Sequence, residues 1–468
     1  MIEFRAQELH EDGAFREAEY AFDGTPAEGW TVLREGKIWL ELPPGYEPLE
    51  TVCCGICSTD QARRFLPFAL PQIIGHEALA VDSRGRLVAA EINASCTALG
   101  LPEDEKCPLC ACGLSTHCTS RLTLGIDRLP GGFGPRMLAP EGAVVPVPAD
   151  LPVDDALLVE PFAAALHAAE RIDLDSAETV AVLGAGRLGL LVVAALRALR
   201  DRSGRAFTIV VTETDRRRAA LARAVGADEL WTGPRNDPVA DVVVEATGSV
   251  DGLGQALSMA RREVHVKSTT GRETLGLRHL TAMVVDEISL APLDIEKDQA
   301  LWSESSQTAL VFGQRPAKET ADALEQRGLV LSCLAAEELP GAAPDDWTPS
   351  DVVVVSSLEM ADRALRPWHG SERGLVRPRG TILIDNRADT APLTARLFER
   401  HLRLTTSRCG DFERAFPYLR DLHRSGAALG ERLITHRLRA TDMAAAMKSA
   451  NDPCALKVVV EHEFVYNE

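Results

Sequence analysis

A glycine-rich turn between two apolar segments limits this chain to very few folds. Val180-Ala181-Val182-Leu183 is a short β-type run, Gly184-Ala185-Gly186-Arg187-Leu188-Gly189 follows it, and Leu188 to Arg200 has helical periodicity. A strand, a three-glycine turn and a helix in this order open a βαβ unit. The first glycine permits the tight turn, the second lets a pyrophosphate approach the backbone, and the third lets helix pack on strand. Helix N–H groups at such a turn hold the pyrophosphate. The same alternation continues through strand Phe207 to Val211, helix Arg216 to Val225, and strands Asp241 to Glu245 and Val264 to Lys267, which predicts a doubly wound parallel α/β sheet.

From about residue 292 to 400 the rhythm starts again, with strand Thr308 to Phe312, helix Ala317 to Arg327, strand Leu329 to Cys333 and strand Asp351 to Val355. Asp241-Val-Val-Val-Glu-Ala-Thr is echoed by Asp351-Val-Val-Val-Val-Ser-Ser. Each leads to a helix and a further strand, Val264 to Lys267 or Thr381 to Ile384, and Leu277 to Leu290 is echoed by Leu393 to Thr405. Either a degenerate duplication or the generic rhythm of α/β chains accounts for this. The second stretch has Gly313-Gln314-Arg315-Pro316-Ala317-Lys318 in place of three glycines. Its backbone cannot approach a pyrophosphate closely, so it reads as structural. Glu337 to Ser350, rich in Pro, Ala and Asp, reads as a surface loop.

At 468 residues the chain exceeds one ordinary core and should form two or three packed units. Residues 1–150, with short β-type runs such as Ala143-Val144-Val145-Pro146-Val147, suggest an irregular β-barrel-like domain. A net charge of −19 repels phosphate at long range and argues against nucleic acid or an anionic membrane as partner. Met1-Ile2-Glu3-Phe4-Arg5 lacks the character of a secretory leader, and no apolar run reaches membrane-spanning length, so a cytoplasmic protein is expected. Eight of the eleven cysteines fall between positions 53 and 118, a clustering that favours metal over disulfides in such a chain.

Cys53-Cys54-Gly55-Ile56-Cys57-Ser58-Thr59-Asp60 offers three thiols that on their own could simply pack in a strand. Gly75-His76-Glu77 and Val159-Glu160-Pro161-Phe162 follow in order, so a thiolate, an imidazole and a carboxylate precede the nucleotide motif. These ligand types hold Zn²⁺ while leaving one position open. With these residues the chain resembles the zinc-dependent medium-chain alcohol dehydrogenases, particularly the sorbitol, threonine and glucose dehydrogenase branch, over about residues 30–290 and again from about 401.

The resemblance implies a GroES-like β-barrel catalytic domain at 1–150, completed by about 431–468. A Rossmann NAD-binding domain would span 151–291 and end at 401–430, with a degenerate Rossmann-like α/β module inserted at 292–400. It implies Cys57, His76 and Glu160 as ligands of a catalytic zinc, and Glu77 as either a fourth ligand that trades places with water or a carboxylate behind the ligands. Thr59 falls where the family keeps a hydroxyl that passes the alcohol proton outward, and Asp60 where it keeps a carboxylate beside the metal. Ala62 stands where many relatives place a relay histidine, which leaves the outer proton path open. Asp104, Cys107, Cys110 and Cys118 have the family's structural-zinc spacing with a carboxylate in place of the first cysteine; Cys112, Cys96, Glu103 and Glu105 are substitutes within reach. Thr247 and Gly248 fall where the family's backbone passes close to the cofactor, and Lys267 to Thr270 near the nicotinamide.

Zinc and a nicotinamide cofactor together imply hydride transfer between NAD and a small alcohol, whether polyol, sugar or secondary alcohol, or the matching carbonyl. Glu213 ends strand Ile209 to Thr212, where a carboxylate hydrogen-bonds both ribose hydroxyls and repels a 2′-phosphate, so NAD is expected over NADP. Arg216 to Arg218 read as a solvated helix start. Two other readings are a catalytically silent NAD(H)-binding scaffold or sensor whose module binds a partner, and a zinc-free NADPH reductase, which leaves Cys57, His76 and Glu160 without a purpose. In the family, the strand matching Glu287 to Leu290 is the edge at which two subunits join their sheets. The extra module begins directly after it and ends with a similar strand, His401 to Thr406. An intrachain pseudo-dimer is therefore expected, in which a tethered copy covers the exposed edge. That implies a monomer, with a homodimer as the alternative.

Overall fold

Alternating apolar and polar residues in Ile2–Leu9, Phe15–Thr25, Gly29–Arg34 and Lys37–Leu42 build a four-stranded antiparallel meander that buries Ala6, Tyr20, Phe22 and Val32 on one side. The long strand Tyr46–Gly55 organises the neighbouring sheet, pairing with Glu77–Val81 on one edge and with Lys457–Glu461 on the other. The computed structural model describes residues 1–233, 235–268, 271–293, 306–313, 316, 318–335, 348–367 and 374–463. It separates into one unit of residues 1–164 and 409–468 and another of residues 165–408. Helix Phe412–Arg424, placed by the sequence at the end of the nucleotide-binding domain, packs in the first unit. There Arg420 and Arg424 pair with Asp150, and His423 lies 2.7 Å from Asp155.

The second unit is one eleven-stranded sheet. Its strands, numbered within the unit, are β1 Thr179–Leu183, β2 Thr208–Thr212, β3 Glu229–Trp231, β4 Ala240–Glu245, β5 Ala260–Val266, β6 Ser289–Pro292, β7 Thr308–Phe312, β8 Val330–Leu334, β9 Ser350–Val355, β10 Val376–Ile384 and β11 Arg403–Thr406. They lie in the order β3-β2-β1-β4-β5-β11-β6-β10-β9-β7-β8. The inner strands are buried on both faces, which is why they read as unbroken runs of Val, Ile, Leu and Ala.

The internal repeat is written in hydrogen bonds as well as in rhythm. Asp241 Oδ2 accepts from the backbone amides of Glu178 and Thr179 at 2.9 and 3.0 Å, and Asp351 Oδ2 accepts from those of Gln307 and Thr308 at 2.8 Å each. The β4–β5 and β9–β10 ladders carry the same register shift, between Ala240 and Val242 and between Ser350 and Val352.

The two halves are joined differently from the sequence expectation. Strand β6 pairs in parallel with β10 of the second half, Leu290 opposite Ile382, whereas β11 pairs in parallel with β5 of the first half, Leu404 opposite Val264. The two exchanged strands meet antiparallel, Leu290 opposite Leu404. Their helices cross with them. Arg396 and Arg400 of helix Pro392–Arg400 donate to the carbonyls of Gly254, Leu257, Ser258 and Ala260. Reciprocally, Asp362 of helix Leu358–Leu365 accepts from the amides of Arg278 and His279.

Both edge strands start two residues later than the sequence suggested. Glu287 and His401 adopt left-handed backbone, φ +56° and +54°, which ends a turn or caps a helix rather than entering a strand. One apolar cluster runs through both halves, including Leu257, Val264, Leu290, Ile382, Leu397 and Leu404. Residues 292–400 therefore share a core with the first half and do not form a separable module. Among the described residues no helix is long and apolar enough to cross a membrane.

Candidate functional site

The glycine turn in the second unit has a distinct task for each glycine. Gly184 takes φ +94°, and a Cβ there would meet Thr247 Cγ2 at 2.9 Å. Gly189 lies so close to the preceding strand that a Cβ would sit 2.0 Å from the Gly184 carbonyl oxygen, whereas a Cβ on Gly186 would meet nothing within 4 Å. Turn, close packing and an open approach are the three functions a dinucleotide turn requires. Gly186 caps helix Arg187–Ser203, so the amides of Arg187, Leu188 and Gly189 lie in its first turn, where helix N–H groups favour an anion.

A cavity of about 400 Å³ adjoins this turn, lined among others by Gly186, Glu213, Thr247 and Arg218. Glu213 follows β2, and its carboxylate accepts from the amides of Ala185, Thr214 and Asp215 at 2.7–2.9 Å. Thr247 bonds to buried Glu245, and Gly248 turns the chain with φ +63°. Lys267 is buried and donates to the carbonyls of Ser407 and Arg408 at 3.1 and 2.7 Å. Thr269 and Thr270 lie outside the described residues.

The second half keeps the turn with a different neighbour. Gly313 keeps the left-handed turn, φ +103°, but a Cβ there would meet Met360 Cε at 3.0 Å. Met360 and Gly252 occupy the same position in their helices, three residues after the capping serines Ser357 and Ser249. The methionine thus packs on Gly313 where Thr247 packs on Gly184 in the first half. Gln314, Arg315 and Ala317 lie outside the described residues.

In the first unit, Asp60 ties Cys57 to His76. Cys57 caps the short helix Ser58–Ala62, its backbone amide donates to Asp60 Oδ2 at 2.8 Å, and Asp60 Oδ1 stands 3.4 Å from His76 Nδ1. Gly75 allows this placement: at φ +97° a Cβ would meet the Phe133 ring at 2.6 Å. Thr59 Oγ1 lies 3.7 Å from Cys57 Sγ. Burial opposes a charge on His76, but the Asp60 carboxylate and the Cys57 sulfur outweigh it and push its pKa well above the ordinary value. Cys53 and Cys54 are buried in the strand, where burial pushes both thiols up, Cys53 to about 12. Of these three thiols only Cys57 is partly exposed.

Of the two roles expected for Glu77, the structure fits the carboxylate behind the ligands. Glu77 is buried against Lys457, which also lies 3.4 Å from the Ile56 carbonyl, so its charge is already balanced by a lysine. Among the described residues, the only group of three or more metal-capable side chains within 4.8 Å of one another is Cys96, Cys107, Cys110 and Cys118. Cys57, His76 and Glu160 do not form such a group. Glu160 instead lines a small cavity with Glu91, Cys409 and Phe412.

The four-cysteine cluster corrects the expected set. Asp104 is exposed and stays out of it, and Cys96 takes the first place, 3.5 Å from Cys118. Residues 97–106 leave the cluster and return to it, with the Leu101 amide bonded back to the Cys96 carbonyl at 3.1 Å. Linear spacing could not reveal that detour.

Both candidate metal sites pass a test of fit on their own atoms. At the first, buried His76 Nδ1 and Asp60 Oδ1 face each other at 3.4 Å with no other hydrogen-bond partner, and the Asp60 carboxylate and Cys57 sulfur favour positive charge on the imidazole, so a cation is favoured there. A carboxylate facing one ring nitrogen also orients an imidazole whose other nitrogen binds metal. At the second, four sulfurs converge, three of them from buried residues, the donor set of a structural zinc.

A GroES-like β-domain and a doubly wound Rossmann sheet together define the fold of the medium-chain alcohol dehydrogenases. In solved structures, the alcohol dehydrogenase of Thermotoga maritima matches with a TM-score of 0.57 at 16% identity, covering 99% of this chain and 100% of that one. By sequence, the chain is homologous to L-threonine 3-dehydrogenase of Rhizobium rhizogenes, 31% identical over 223 residues, which is 44% of this chain and 59% of that protein. It is also homologous to (R,R)-butanediol dehydrogenase of Saccharomyces cerevisiae, 26% identical over 231 residues, 43% of this chain and 59% of that protein. The chain thus spans somewhat under two thirds of the curated relatives it matches. No family model matches it.

Proposed function

We propose that the protein is a zinc- and NAD-dependent dehydrogenase of a small alcohol, whether polyol, sugar or secondary alcohol. The observation that carries this reading is the Cys57–Asp60–His76 constellation, with Asp60 and His76 buried, in a chain that also holds a three-glycine turn open to a pyrophosphate. Its homologues are named for the oxidation of threonine and butanediol, both secondary alcohols.

Cys57 and His76 would hold the catalytic zinc, with Glu160 drawn in as the third ligand when the ion binds. Glu77 remains paired with Lys457 behind them. Zinc supplies a Lewis acid that lowers the pKa of a bound hydroxyl. Asp60 orients the imidazole, and Thr59 passes the alcohol proton toward solvent. Gly184, Gly186 and Gly189 with the amides of Arg187 and Leu188 hold the pyrophosphate. Glu213 accepts from the ribose hydroxyls in place of its present backbone partners, which favours NAD. Thr247 forms part of the neighbouring wall, and Gly248 turns the chain directly after it. Cys96, Cys107, Cys110 and Cys118 hold a structural zinc.

The second half serves as an internal substitute for a partner subunit's sheet, and the chain is accordingly a monomer. Sedimentation tests this, and a dimer joined through β6 or β11 would overturn it. The activity is tested by following NADH absorbance with a panel of polyols, sugars and secondary alcohols. Turnover that disappears on chelation and returns with Zn²⁺ is expected; full turnover in metal-free protein would refute the reading.

A further inference from the structure

A cavity of about 550 Å³, within the range of small-molecule pockets, has Asp60 in its wall. Three elements of the first unit form it. The turn between Ile2–Leu9 and Phe15–Thr25 supplies Gly13, the segment after Cys57 supplies Asp60, Gln61, Arg64 and Phe65, and helix Met443–Ala450 and the residue following it supply Met447 and Asn451. Gln61 Nε2 donates to Asn451 Oδ1 at 3.1 Å, bridging two of these walls. Asp60 is therefore shared between this cavity and the Cys57–His76 pair.

Two adjacent arginines in this segment have opposite roles. Arg63 is fully buried and spends its guanidinium on the carbonyls of Phe68 and Ala69 and on Gln72. Arg64 is exposed, lies over the Phe65 ring at 4.5 Å, and among the described residues has no carboxylate within ion-pair distance. Gly13 makes room for it, because a Cβ there would stand 3.1 Å from Arg64 Nη1. An uncommitted guanidinium offers a planar fork of donors that matches a carboxylate or phosphate.

We propose that this cavity receives an anionic group of the substrate, a phosphate or carboxylate on a hydroxylated carbon chain, and that Arg64 is the residue that recognises it. The proposal rests on the dehydrogenase reading above and names the substrate class that reading leaves open. Apolar Phe65 and Met447 flank the carbon chain, and the Gln61–Asn451 pair offers polar contacts to its hydroxyls. A lysine in place of Arg64 keeps the charge but loses the fork, so Arg64→Lys should recover only part of what Arg64→Gln loses.

The test compares full-length, zinc-loaded protein with its Arg64→Gln and Arg64→Lys variants, using glycerol 3-phosphate, glycerate and glycerol as probes. The ratio of kcat/KM for an anionic probe to that for glycerol should fall about ten- to a hundredfold in Arg64→Gln, as the loss of a charged hydrogen bond predicts. The phosphate and carboxylate arms show which anion the site prefers. An unchanged ratio for both anions overturns the proposal. Binding of the same probes is measured by calorimetry without turnover, which separates this proposal from the catalytic reading. If no probe is oxidised, anion binding that depends on Arg64 still supports the subsite, and binding that is absent or independent of Arg64 removes it.

Discussion

Gly186 and Gly189 stand three residues apart in one turn, yet alanine should affect them in opposite ways. At Gly189 the new Cβ would lie 2.0 Å from the Gly184 carbonyl oxygen, more than an ångström inside ordinary contact, and the obstruction is backbone that cannot rotate away. Helix Arg187–Ser203 must move off β1, and overpacking of this kind costs about 1–3 kcal/mol. For a unit of this size that is a fall in Tm of roughly 2–12 °C. At Gly186 the backbone is extended, φ −73° and ψ −174°, and a Cβ meets nothing within 4 Å, so Gly186→Ala should be neutral or stabilise by about 0.4–1 kcal/mol. Its methyl nonetheless occupies the approach of the pyrophosphate. NADH affinity should fall about tenfold or more, equivalent to ~1.4 kcal/mol. Thermal denaturation without cofactor and a fluorescence titration with NADH measure both quantities on the same samples. A Gly186→Ala protein that is destabilised and binds NADH normally would refute the assignment of the turn.

Other outcomes follow from particular side chains. Cys96→Ser should lower zinc content by one ion per chain and reduce stability, whereas Asp104→Asn should do neither; metal analysis with thermal denaturation decides. Leu404→Ala, at the centre of the exchanged strands, should cost about 2–5 kcal/mol and shift a single urea transition of the second unit, because the core is continuous. Separate transitions for the two halves would contradict that. His265 is buried, and burial pushes its pKa down to about 4. Below the ordinary histidine value of about 6.5 the unfolded chain takes a proton that the folded one refuses, so stability should fall as pH drops from about 6.5 to about 4, by up to ~1.4 kcal/mol per unit. Urea midpoints across that range should flatten in His265→Asn.

Much of this was legible in the sequence because it is local. The strand–turn–helix at Thr179–Ser203, the missing glycines after Gly313 and the carboxylate at Glu213 depend on neighbours a few residues away. The sequence could not show what depends on partners far along the chain. The exchange of β6 and β11 follows from which sheet edge each helix–strand pair reaches, and both pairs have the same local pattern. Cys96 replaced Asp104 because residues 97–106 form a detour that spacing counts as distance. Glu77 beside His76 reads equally as a fourth ligand or as a carboxylate behind the ligands, and its pairing with Lys457, 380 residues later, fits the second. Met360 in the position of Gly252 becomes visible only when the two halves are compared as structures.

The most direct test of the account is zinc per chain together with turnover for wild type, Cys57→Ser and Cys96→Ser, with NADH binding measured on each. Two zinc ions are expected in wild type. Cys57→Ser should lose one of them and all turnover while binding NADH normally, and Cys96→Ser should lose the other. A Cys57→Ser protein that keeps two zinc ions and oxidises alcohol at the wild-type rate would contradict the account at its centre.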